Sequence, residues 1–201
     1  RSTRKESSAA SDVYKRQNGK VECEKTYGGT GNDQCFDMDL TDDGYVLAGH
    51  TTSFGEEGWD AWLVKVGSKG NLQWEKSFGQ PLSGNPRQIF DECYGVKTIP
   101  DGGFVLACGS GIEPENVRSR KDSRNTWAAY LVCTDDEGNL LWEYTHHTPN
   151  EGHNAGEYVA LCRDGGYLMF LDSDNVGDME EDGIPTLDPI TSKMIAAINP
   201  A

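Results

Sequence analysis

The chain has 201 residues, 36% of them hydrophobic and 25% charged, with a formal net charge of −15. Residues 1–20 hold six Lys/Arg against two Asp/Glu, so 21–201 stands at −19. That excess repels nucleic-acid phosphates and anionic lipid headgroups, and leaves a cation, a basic protein or a neutral glycan as better partners, with plain solubility as the alternative. No apolar run of about 18 residues is present to form a transmembrane helix.

Residues 1–20 read as a leader outside the fold. Positions 8–17 resemble translated adapter sequence, and the segment is polar and basic without apolar periodicity, so disorder is expected. Three repeats follow, over 21–72, 73–140 and 141–201. Glu24-Lys25-Thr26-Tyr27-Gly28 aligns with Glu75-Lys76-Ser77-Phe78-Gly79, and Trp142-Glu143-Tyr144-Thr145-His146 is the third copy. The first repeat predicts strands over 22–27, 34–41, 44–51 and 59–66. The second predicts 73–78, 91–98, 103–110 and 127–134; the third predicts 141–146, 157–162, 166–171 and 192–198. Asp43-Gly44-Tyr45, Asp101-Gly102-Gly103-Phe104 and Asp164-Gly165-Gly166-Tyr167 mark the central turns. Runs such as Tyr45-Val46-Leu47-Ala48 are apolar at consecutive positions, as in strands covered on both faces. Gly70-Asn71-Leu72 and Gly138-Asn139-Leu140 supply the tight turns between repeats, because Gly and Asn tolerate positive φ. Length varies between strands, at 80–89, 111–125 and 172–189, which marks these stretches as surface loops. The chain therefore reads as all-β, with three four-stranded antiparallel repeats of β-propeller blade type.

These residues resemble a family of bacterial repeat proteins with blades of the form W-x-K-x-[FY]-G-G…D-G-G-[YF]-x-L-x-G…D-x-W-[LV]-x-K-x-D-x-x-G-N-x-x-W. The resemblance covers about 21–198, is strongest over 24–70 and weakens in the third repeat. It implies a propeller fold and a secreted or cell-envelope location, and no particular reaction. Propellers close with about four to eight blades. Three repeats are thus expected to belong to a larger ring completed by further blades of the same chain, or to close by self-association.

Six cysteines, Cys23, Cys35, Cys93, Cys108, Cys133 and Cys162, form no C-x-x-C pair and lie on predicted strands. They are expected as small apolar fillers ahead of structural disulfides. The acidic stretch from Asp172 to Gly183 alternates carboxylates with other residues, which suits the hard oxygen shell of Ca²⁺. Val176 and Gly183 break the EF-hand pattern, so Asp172, Asp174 and Asp178 stand as candidate ligands of a looser calcium site, against a solvated acidic insertion. His146, His147 and His153 sit in a loop without zinc-ligand spacing, and His50 lies apart. Gly28-Gly29-Thr30-Gly31-Asn32-Asp33 lacks the Lys-Ser/Thr and helix of a phosphate loop and reads as a turn whose amides Asp33 caps.

No nucleophile-elbow, zincin or phosphate-loop motif is present. The expected function is a non-catalytic binding or scaffold propeller that meets a protein or glycan through its variable loops. Trp59, Tyr94 and Trp127 are candidate stacking residues, against a role in packing. The alternative is a glycan-active hydrolase or lyase with carboxylates at the propeller axis.

Overall fold

The computed structural model describes residues 10–15, 21–55, 58–80, 89–112, 127–146, 154–173 and 193–198. These form thirteen β-strands and no helix among the described residues. A hairpin-like pair, β1 (Ala10–Lys15) and β2 (Val21–Tyr27), precedes three antiparallel meanders. The first sheet is β3 (Asp33–Thr41), β4 (Gly44–Thr51), β5 (Asp60–Gly67) and β6 (Leu72–Phe78), in that order. The second is β7 (Ile89–Thr98), β8 (Phe104–Ile112), β9 (Ala128–Thr134) and β10 (Leu140–His146). The third is β11 (Asn154–Leu161), β12 (Tyr167–Ser173) and β13 (Lys193–Ile198).

The hydrogen-bonded unit is displaced by one strand from the repeat read in the sequence. β6 opens the second repeat but pairs with β5, with Ser77 opposite Trp62; β10 likewise pairs with β9, with Thr145 opposite Tyr130. The Gly-Asn-Leu turns explain the displacement. Gly70 and Gly138 take φ of 71° and 75°, and Gly67 N and Asp135 N donate to Asn71 O and Asn139 O, so each turn folds the outer strand back onto the closing strand before it.

The leader also departs from expectation. Ala10–Lys15 is a strand instead of disordered chain, paired to β2 from Ala10 opposite Tyr27 to Lys15 opposite Val21. β2 is equivalent to β6 and β10, outer strands that each need a closing strand beside them. Val13 and Tyr14 give β1 enough strand propensity to take that place.

The sheets stack face to face. β7 packs on β3, β4 and β5, and β11 repeats this on β7, β8 and β9. The first interface buries Val46, Ala48 and Leu63 against Val96, Leu106 and Val132. The second buries Val105, Ala107 and Leu131 against Val159, Met169 and Leu171. β4 and β5 are covered on both faces, which is why their apolar residues run consecutively.

The first strand of each sheet carries a bulge at the same place, at Phe36, Tyr94 and Glu157. Two aspartates of β3 then tie the sheets together. Asp37 Oδ1 accepts from Met38 N and its Oδ2 from Val96 N at 3.0 Å; Asp39 bonds Leu40 N and Thr98 N in the same way, at 2.9 and 2.8 Å. Each carboxylate so satisfies one outward N–H on β3 and one on β7.

Candidate functional site

A meander puts alternate connections at opposite ends of its sheet. The tight turns that follow β3, β5, β7, β9 and β11 therefore share one end, and the longer connections share the other. At the tight-turn end a cleft of about 550 Å³ opens between the first and second sheets. Trp74 on β6 and Phe104 on β8 form its aromatic wall, with ring centroids 5.8 Å apart. Thr41, Asp42, Asp43 and Gln73 rim it on one side, and Asp101, Gly102 and Asp136 on the other.

Lys65 organises the near rim. Its side chain runs out of the buried strand β5, and its ammonium donates to Asp43 Oδ1 and, at 3.0 Å, to Thr41 Oγ1. Gln73 Nε2 donates to Asp43 Oδ2 at 2.7 Å. The Lys65 ammonium, and after it the Gln73 amide, hold the Asp43 carboxyl down at about 2. The only cationic side chain among the described lining residues is thus engaged, while Asp42, Asp101 and Asp136 are exposed on the rim. This lining disfavours anions and offers hydroxyl-accepting carboxylates beside an aromatic wall.

The opposite end carries an aromatic cluster and a set of buried carboxylates. His50 meets Trp59 edge-on at 4.5 Å, Phe36 lies 4.9 Å from His50, and Tyr94 lies 5.2 Å from Phe36. Tyr94 donates to Glu92. Burial lowers His50 to about 4 and leaves its Nδ1 without a partner. These rings pack on one another, with Phe36 at the exposed edge of the cluster. Asp33 is fully buried and accepts from Thr51 Oγ1, from Ser53 Oγ at 2.8 Å and from Gly29 N at 2.9 Å, the turn-capping role expected of it. Asp91 is its equivalent on β7 but is poorly served: its Oδ1 is buried without a partner. Burial pushes Asp91 up to about 7; the nearby Ser110 hydroxyl offsets this in part, and the charges of Asp60 and Glu143 add to it.

The other expected site residues are scattered. Asp172 lies on β12, one residue before its end, while Asp174 and Asp178 lie outside the described residues, as do His147 and His153. Among the described residues no three His, Cys, Asp or Glu side chains form a metal-holding group. Trp127 is buried against Gly109 and Gly111, so it packs, and Trp59 and Tyr94 belong to the aromatic cluster. Cys93, Cys108 and Cys133 are buried free thiols, as expected of fillers; Cys35 is exposed. The loops expected to meet a ligand, 80–89, 111–125 and 172–189, fall largely outside the described residues.

In the sequence Asp43 belongs to a turn that recurs in each repeat and so reads as framework. A signal was present in the departures from the repeat. Trp142 beside Tyr167 copies Trp74 beside Phe104 at the next interface, but Cys133 stands where Lys65 does and Leu141 where Gln73 does. At the second interface the Lys65 and Gln73 positions are thus apolar. Neither a protein-family model nor a curated protein matches this chain.

Proposed function

We propose that this chain is a non-catalytic binding module built of β-propeller blades, acting outside the cell or in the cell envelope, and that the cleft beside Trp74 takes a neutral glycan. The observation that carries this reading is the cleft itself: about 550 Å³, with an aromatic wall, an acidic and amide rim, and Lys65 already paired. Pockets for small ligands combine an apolar wall with a few convergent polar groups in this way. Stacked four-stranded meanders with a bulge repeated in each first strand support the propeller reading. The net charge of −15 further disfavours nucleic acid and anionic surfaces as partners.

The test is a glycan array probed with the whole chain, followed by titration of the best ligand while tryptophan fluorescence is monitored. Gln73→Ala and Asp136→Ala, both on the exposed rim, should each weaken binding at least fivefold with an unchanged circular dichroism spectrum. Absence of any bound glycan, or affinity indifferent to both changes, would overturn the assignment. Cleavage of the bound glycan, read by mass spectrometry, would replace it with the hydrolase alternative.

A further inference from the structure

At both ends of the described sheet stack apolar residues are exposed, and the internal interfaces indicate what fits them. Met38 on β3 is 40% exposed, whereas its equivalents Val96 and Val159, each pressed on a preceding sheet, are 0% exposed. At the other end Phe170 on β12 is 37% exposed. Its equivalents Ala48 and Ala107 are buried under the following sheet. Among the described residues no sheet covers Met38 on β3 or Phe170 on β12, and each exposed position repeats one that is buried against the other kind inside the molecule.

The strand inventory agrees. β2 is equivalent to the outer strands β6 and β10, and Tyr27 lays it against the first sheet by donating to Gly70 O at 2.8 Å. It stands where the outer strand of a preceding sheet would stand. The third sheet has three strands, and β13 has no neighbour on its outer side among the described residues. Three strands of one copy and β2 of another make a four-stranded sheet like the first two.

We infer that the exposed face of β3 takes the third sheet of a second copy of this chain, head to tail, with β13 of the incoming copy beside β2 in the place that β1 holds. The contact joins two different surfaces, so it propagates into a ring or an open string of chains and does not stop at a symmetric dimer. Phe170 and Tyr158, whose rings lie 6.3 Å apart, meet Met38 and Leu40 across it. The flexible methionine accommodates the larger ring that replaces alanine there.

A mixing experiment tests this. The whole chain should show a sedimentation mass that rises with concentration above one chain. Met38→Lys and Phe170→Lys each change an exposed residue, so the fold should survive, and each variant alone should stay monomeric or associate at least tenfold more weakly. Each variant retains one good end, of opposite kind, so an equimolar mixture of the two should form discrete dimers. A folded wild-type chain that stays monomeric at every concentration overturns the inference. So does a mixture that associates no better than its components, which would point to a self-complementary patch.

Discussion

At the scale of single residues, two carboxylates are displaced in opposite directions and report on pH in opposite ways. Asp43 is held at about 2 by Lys65, below its unfolded value of 3.8, so its contribution to stability is present above about pH 4 and is lost as pH falls toward 2. Asp91 is raised to about 7 by burial, so the folded chain binds the extra proton between about pH 4 and 7. Stability therefore falls as pH rises through that window and levels off above it. A shift from 3.8 to about 7 corresponds to roughly 4 kcal/mol. Asp91→Asn should flatten the urea-denaturation midpoint between pH 4 and 7 and stabilise the chain by several kcal/mol at pH 8; an unchanged slope would show that Asp91 does not hold the proton. Asp33, at the equivalent position, is instead fully bonded. Asp33→Ala strands two hydroxyls and an amide and should cost about 2–4 kcal/mol at pH 7 by the same assay. From the sequence the two aspartates look alike. The difference lies in what surrounds each, Thr51 and Ser53 around one, Ser110 and a second carboxylate around the other.

At the scale of the element, most strands were legible and their partners were not. The apolar runs locate β4 at Gly44–Thr51 and β10 at Leu140–His146, each within about a residue of expectation, because a strand's pattern is local. Pairing is not local, and so the sheet boundary one strand beyond the repeat boundary, the strand β1 and the three bulges were beyond reach. The same holds for the cleft, whose walls come from residues 41–43, 65, 73–74, 98–104 and 136. The bridging role of Asp37 and Asp39 is another product of pairing, since in sequence they are two more acidic residues in an acidic chain. Replacing both with alanine should speed hydrogen exchange at the Val96 and Thr98 amides at least tenfold and leave Leu106, in the middle of the second sheet, unchanged. Equal protection before and after would mean that these N–H groups are shielded by packing alone.

At the scale of the whole molecule, the described stack has buried interfaces within and exposed apolar residues at its ends. Val96→Ala, inside the first interface, should destabilise the chain by about 2 kcal/mol. Met38→Ala, at the same position of the preceding sheet, should change the stability of dilute chain by less than about 0.5 kcal/mol. Scanning calorimetry on both variants compares a covered with an uncovered copy of one site; equal losses would show that something already covers Met38. The exposed ends also predict a chain prone to association on heating, and a sharp, reversible transition from a monodisperse monomer would count against that.

The displacement of sheet from repeat bears on how such a chain can be divided. A cut after residue 72 or 140, where the sequence pattern restarts, removes the outermost strand from the sheet just completed and leaves it on the next fragment. A cut near 80 or 147 follows the hydrogen bonds. The second and third repeats thus lend their first strands to the repeat before, so excising or duplicating one of them at its sequence boundary must exchange strands between adjacent sheets. The three copies are laced together, and a newly synthesised sheet is completed only when the first seven or so residues of the next repeat have emerged.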